Sequence, residues 1–265
     1  MRVALCVKRD VFGLLALRTI LPFLEGCALR IFCSVKTRPD EAAVRELSLL
    51  KVMERDFPMD VLLPLCPSGD FPAPAEWEPL ADLAPGGGAA RLLDFAPDLV
   101  LSLRFSLIFK PELIARIPQG IVNVHPGALP HYRGLYAPFW QALAREPEFG
   151  CTVHFVDAGI DTGPVIGQAR VRRDPARSLF WHTAQLYREG AAIAGAAAAA
   201  IRRGQRPEAT IQPPGGRYFR LPGPADFAAL AETGFALVTP ADYLDCLRES
   251  LLPASGLAMA PGAAA

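Results

Sequence analysis

Ile121-Val-Asn-Val-His-Pro-Gly127 is the stretch on which the fold turns. Its apolar residues mark a buried strand. On an extended chain Asn123 and His125 face one side while Val122 and Val124 face the other. Pro126-Gly127 stops the strand, and Pro130 and Gly134 are expected to keep Ala128-Leu-Pro-His-Tyr-Arg-Gly134 out of regular structure. The carboxyl end of this strand, with two polar side chains raised on it, is the expected working edge.

A second strand end supplies a carboxylate. Thr152 to Val156 alternates as a strand, and the glycine-bearing loop Asp157-Ala-Gly-Ile-Asp-Thr-Gly163 presents Asp161. Working outward, Arg2 to Val7, Leu29 to Val35, Val61 to Leu65, Leu99 to Leu103 and Val165 to Arg172 also read as strands. Between them helices are expected over Phe12 to Leu24 with a kink at Pro22, from an Asp40 cap to about Arg55, over Ala89 to Phe95, and from Pro138 to about Arg145. Ser178 can cap a long helix in which Phe180, Ala184, Tyr187, Ala191, Ala194, Ala198 and Ile201 repeat at helical spacing, so its alanine run is a packing face. The alternation of strand and helix favours an α/β fold, a mostly parallel sheet with helices on both faces.

Residues 67 to 88, rich in Pro, Gly and Ala, read as a surface loop or ordered lid. Composition changes again after Gly204, so residues 1 to 205 are expected to form the main domain and 206 to 265 a small C-terminal appendage. The appendage holds short helices near Ala225 to Glu232 and after Thr239-Pro-Ala-Asp242, with a disordered tail over 253 to 265.

Composition narrows the functions. The 27 basic and 27 acidic residues cancel, which argues against steering of a polyanion such as tRNA. The six cysteines (6, 27, 33, 66, 151, 246) include no Cys-x-x-Cys and sit mostly in apolar runs, so free thiols in a reducing cytoplasm are expected rather than disulfides or a zinc site. The apolar run from Val11 to Phe32 is interrupted by Arg18, Glu25 and Arg30 and falls short of a membrane span, and the run after Arg2 breaks at Lys8 too early for a signal peptide.

The pattern Asn123-x-His125-Pro126-x-x-Leu129-Pro130-x-Tyr132-Arg133-Gly134, followed by Gly150-x-Thr152-Val153-His154 and Ile160-Asp161-Thr162-Gly163-Pro164, resembles the formyltransferases that use 10-formyltetrahydrofolate. That family includes glycinamide ribonucleotide, methionyl-tRNA and amino-sugar N-formyltransferases and formyltetrahydrofolate hydrolase. The resemblance is clear from about Pro97 to Val171 and weaker back to Met1. It implies a Rossmann-like sheet, catalytic Asn123, His125 and Asp161, and an auxiliary His154. It also implies that Ser106, Leu107, Ile108 and Phe109 lie against the pterin and that Asp157, Ala158, Gly159 and Ile160 contact its edge. Apolar walls with backbone groups at the rim suit a flat heterocycle on physical grounds too. Two departures stand out. Gly127 replaces the serine found in many members, and Lys8-Arg9-Asp10-Val11-Phe12-Gly13 replaces the usual glycine-rich loop after the first strand.

In formyl transfer an amine attacks the formyl carbon, giving a tetrahedral oxyanion that collapses as the folate nitrogen leaves with a proton. Asn123 is the expected oxyanion donor, His125 the second donor and general acid, and Asp161 the partner that keeps His125 charged or takes the amine proton. His154 is expected to support Asp161 or a water chain, and the chemistry requires no metal. Arg133 is a candidate for a substrate anion, balanced by a role holding loop carbonyls. His131 and His182 are expected to be surface or helix residues. The expected acceptor is a small amine, an amino sugar nucleotide or modified amino acid. A hydrolase and a non-catalytic folate-binding protein remain alternatives, and a homodimer is left open.

Overall fold

A computed structural model describes residues 1–35, 39–66 and 76–252. The tail expected to be disordered and the first part of the 67 to 88 loop lie outside the described residues. β1 (Arg2–Lys8) leads into α1 (Val11–Ile20), which starts one residue earlier than expected and ends sooner, Leu21–Leu24 tightening into a 3-10 turn at Pro22. β2 (Ala28–Ser34) follows. Instead of one helix, α2 (Pro39–Ala42) and α3 (Arg45–Lys51) are separate, and the side chain of Asp40 is outside the described part. The chain then runs through two wide turns of i to i+5 type, Val52–Asp56 and Pro58–Leu62.

The expected strand at Val61 to Leu65 is absent: these residues end the second wide turn and form the 3-10 turn Leu63–Leu65. A short apolar run carries no periodicity that separates strand from helix. The third strand is β3 (Glu78–Leu80), inside the stretch expected to be loop, where only Leu80 is buried and pairing with β2 is by backbone. α4 (Gly88–Asp94), β4 (Leu99–Leu103), α5 (Pro111–Ile114) and β5 (Ile121–His125) come next. Tyr132–Gly134, expected to be irregular, forms β6. α6 (Ala137–Leu143), β7 (Glu148–Phe155), β8 (Val165–Arg172), α7 (Leu179–Arg202), β9 (Arg217–Phe219), α8 (Pro224–Glu232) and α9 (Pro240–Leu251) complete the chain.

The main sheet has seven strands in the order β3-β2-β1-β4-β5-β7-β8. The first five are parallel, and β7 and β8 are antiparallel to their neighbours. The fold is therefore a Rossmann-like, mostly parallel α/β sheet. Its chain reverses direction of growth between β1 and β4, and in such sheets ligands sit outside the carboxyl ends of the strands at that point.

The alternation of the central strands divides two cores. Val3, Leu5, Val7, Leu99, Leu101, Leu103, Val122 and Val124 pack under α1, α7 and α9. Ala4, Cys6, Val100 and Ile121 pack on the opposite face with Leu92 of α4 and with Leu107 and Phe109. Every alanine and aromatic expected on the buried face of α7 is buried. That helix can lie close on β5 because Gly190 faces it: a Cβ there would stand 2.5 Å from Val124 and 2.6 Å from Cys151. Ser178 caps α7 by accepting from Trp181 N, and Thr239 caps α9 by accepting from Asp242 N at 3.2 Å. Phe227, Phe235, Cys246 and Leu247, from the last part of the chain, join the same core as α1 and α7. Among the described residues no helix is long and apolar enough to cross a membrane.

Candidate active site

The carboxyl ends of β1, β4 and β5 border a cleft of about 300 Å³ whose walls come from both cores. Asn123 and His125 point into it from β5, as their spacing requires. On β7 the pairing register with β8 shifts between Val153 and His154. Toward β5, His154 is the antiparallel partner of Asn123, so the two side chains stand on one face of the sheet, with Asn123 Nδ2 and His154 Nε2 3.2 Å apart. Asp161 reaches in from the β7 to β8 loop with its Oδ1 3.5 Å from His125 Nδ1 and 3.8 Å from His154 Nε2. The structure thus brings Asn123, His125, His154 and Asp161 together.

Hydrogen bonds assign the protons. His154 Nδ1 lies 2.8 Å from the Phe155 carbonyl, which can only accept, so Nδ1 carries the hydrogen and Nε2 accepts from the Asn123 amide. Burial pushes the His154 imidazole below the usual histidine range, against the pull of Asp161, and favours this neutral form. His154 thus holds the orientation of the Asn123 amide, whose second N–H is left for the cleft, while its Nε2 also stands 3.8 Å from Asp161. His125 Nε2 lies 2.6 Å from the Tyr132 carbonyl and donates to it, which leaves Nδ1 as the ring nitrogen that faces Asp161.

Gly127 permits this arrangement, since a Cβ there would sit 2.5 Å from both His125 Nε2 and the Tyr132 oxygen. Asp161 holds a left-handed backbone (φ 55°), which Asp tolerates better than most residues. Its Oδ2 accepts from Gly134 N at 2.8 Å, and its carbonyl accepts from Gln212 Nε2 at 3.0 Å. Arg133 donates to Gln212 Oε1 at 3.3 Å, so it braces this loop.

One wall of the cleft is apolar. Ser106, Leu107, Ile108 and Phe109 line it together with Phe105 and Val156, and Gly159 and Ile160 lie at its rim. Ile108 is 55% and Ile160 42% exposed, large apolar side chains beside an open cleft. Asp157 and Ala158 are not part of the wall. Asp157 Oδ1 accepts from Gly159 N (3.1 Å) and Thr162 Oγ1 (2.6 Å), which shapes the loop that carries Asp161. Of the other histidines, His131 is exposed and His182 is buried in α7 between Ser178 O and Asp174 N.

The opposite wall was not anticipated. Arg104, the residue after β4, is bent into a left-handed conformation (φ 61°). Its Nε lies 2.6 Å from Asp10 Oδ2, its Nη2 contacts Glu54, and its guanidinium stacks on Phe12 and Tyr187 at 4.9 and 5.5 Å. Burial works against the charge of Arg104, but Asp10 and Glu54 more than offset it and hold the guanidinium protonated. Burial raises the Glu54 carboxyl, Arg104 opposing it. The phenols of Tyr136 and Tyr187 are raised by burial too, that of Tyr187 to about 12, so both stay neutral. The sequence signs of this wall are the Lys8 to Gly13 departure after the first strand and a charged residue directly after an apolar central strand.

Residues 82–189 match the family model described as formyl transferase. The chain is 33% identical over 90 residues to GDP-perosamine N-formyltransferase of Brucella melitensis, a match covering 33% of this chain and 35% of that one. It spans about a third or less of the length of the first curated relatives it matches. Among solved structures, a 4-N formyltransferase from Francisella tularensis superposes with a TM-score of 0.58 at 18% identity, over 85% of this chain and 77% of that one. A formyltransferase from Anoxybacillus kamchatkensis, in complex with UDP-4,6-dideoxy-4-formamido-L-AltNAc and tetrahydrofolate, gives 0.51 at 18% identity, over 83% and 86%. At such identities the likeness is one of fold. The segment 82–189 that matches the formyl transferase model holds the motif on β5 and β7, and the sheet that carries it has the fold of these solved formyltransferases.

Proposed function

We propose that the protein is an N-formyltransferase that moves the formyl group of 10-formyltetrahydrofolate to the amine of a small acceptor. The observation that carries this reading is the meeting of Asn123, His125 and Asp161 at the floor of a cleft with one apolar wall. The tetrahydrofolate held by the Anoxybacillus enzyme supports the identity of the donor. Ser106 to Phe109 would pack against the pterin, and Gly159 and Ile160 would meet its edge. The main domain is taken as residues 1 to 205, with the later segments completing the same cleft.

The acceptor nitrogen attacks the formyl carbon, a C–N bond forms, and the carbonyl electrons move to oxygen. The free N–H of Asn123 donates to that oxyanion; one such donor is typically worth about 3 kcal/mol of barrier. Asp161 takes the proton lost by the attacking ammonium. His125 Nδ1, next to Asp161, relays a proton to the folate nitrogen as the C–N bond to the donor breaks and the C=O reforms. The 3.5 Å gap between Nδ1 and Asp161 is of the looseness expected before substrates bind.

The experiment is to incubate the protein with 10-formyltetrahydrofolate, with and without a panel of amines, and follow tetrahydrofolate release. Amine-dependent release that is lost in Asp161→Asn and His125→Gln is expected. Release independent of amine would mean that water is the acceptor and would overturn the reading.

A further inference from the structure

This inference rests on the formyl-transfer reading and concerns the end of the cleft away from the pterin wall. At the switch point of such a sheet the helix after β1 ordinarily offers its first N–H groups and its positive end to a phosphate. In this protein that place is taken. Asp10 is fully buried at the head of α1, one oxygen accepting from Gly13 N at 2.8 Å and the other facing Arg104 Nε at 2.6 Å. The negative charge that a helix start attracts is supplied by the chain itself.

Arg104 is committed as well. It bridges Asp10 and Glu54, and its face is stacked between Phe12 and Tyr187. Among the described residues the remaining lysine or arginine on the cleft wall is Lys8, whose Nζ stands 4.0 Å from Asp10. Among the described residues at this end, Lys8 and Arg104 stand against the carboxylates of Asp10, Glu41 and Glu54, a balance of one negative charge. The Glu41 carboxylate has no hydrogen bond or ion pair among the described residues. A phosphate entering here would meet like charge and a guanidinium already used. Hydroxyl or ammonium groups would find carboxylate oxygens and two neutral phenols.

We infer that Asp10, Glu54 and Arg104 act as a built-in counterpart of a substrate anion, so the acceptor is a phosphate-free amine whose non-reacting part carries hydroxyl or ammonium donors. Two measurements test this. In the first, thermal unfolding is followed with millimolar inorganic phosphate and pyrophosphate. The wild-type midpoint is expected not to move, while Glu54→Gln, which releases Arg104, gains a phosphate-dependent rise; Asp10→Asn serves as the second variant if Glu54→Gln does not fold. A rise in the wild-type protein, abolished by Arg104→Met, would overturn the inference. In the second, formyl transfer is compared for glucosamine and glucosamine 6-phosphate. A preference of roughly tenfold or more in kcat/KM for the unphosphorylated amine is expected from the like charges at this end; preference for the phosphate ester overturns the inference and leaves formyl transfer standing. Absence of transfer to any amine counts against the formyl-transfer reading alone, because the anion measurement does not depend on turnover.

Discussion

Two strand ends on the same edge of one sheet carry buried polar groups, and they do opposite things with them. At β5 the groups are left partly unsatisfied: Asn123 keeps one N–H free, and His125 Nδ1 stops 3.5 Å short of Asp161. At β4 the charges are closed on one another, Arg104 between Asp10 and Glu54. The comparison teaches that topology selects the edge where polar groups gather, while the degree of pairing differs between strand ends, open at β5 and closed at β4.

The most damaging way to probe the comparison is Arg104→Met. It strands two buried carboxylates, a loss typically of about 3–5 kcal/mol, and chemical denaturation should show it as a large drop in midpoint. An unchanged midpoint would mean that the β4 end is not structural. Asn123→Ala should do the reverse, lowering turnover by about 10²–10³ while leaving the melting temperature near that of the wild type. If the two variants gave the same pattern, the distinction between the ends would collapse. Gly127→Ala sharpens the picture, because its new methyl meets both His125 Nε2 and the Tyr132 oxygen. Overpacking of this kind costs about 1–3 kcal/mol, and the drop in kcat should be accompanied by a displaced His125 ring in the NMR spectrum.

The smallest effect concerns acid. Burial lowers the folded pKa of His154 and of His182 below the ordinary histidine value. Both states are neutral well above pH 6.5; as pH falls, the unfolded chain takes up protons first, so stability is lost from about pH 6.5 downward. Calorimetry between pH 7 and 5 should show a falling melting temperature, with a shallower slope in His182→Gln. An identical slope would exclude His182 as a contributor.

The sequence made the β5 end legible because each residue there obeys a local rule. Period-two alternation set the side of Asn123 and His125, and the glycine-bearing loop announced Asp161. The β4 end was illegible because Arg104 draws its meaning from residues distant in the chain: Asp10, 94 positions away, and Glu54, 50 away. Spacing cannot join them. The same limit hid β3, three residues held by backbone pairing with one buried side chain. It also hid the identity of 61 to 65, where Val and Leu suit strand and helical turn alike and Pro64, which has no N–H for a ladder bond, sits at the start of the 3-10 turn. Within the site, spacing likewise does not announce that Asp157 Oδ1 accepts from Gly159 and Thr162 inside its own loop.

The small ribbon of β6 and β9 ties the far end of the polypeptide to the reacting atoms. Gly134, whose N–H grips Asp161, lies opposite Phe219, and Leu135 N donates to the Phe219 carbonyl at 2.9 Å. A shortened gene product ending at residue 205 would keep all seven strands of the large sheet but lose this clasp and the Gln212 brace together. Anyone trimming the protein to a minimal unit should therefore expect the carboxylate to drift before the scaffold gives way.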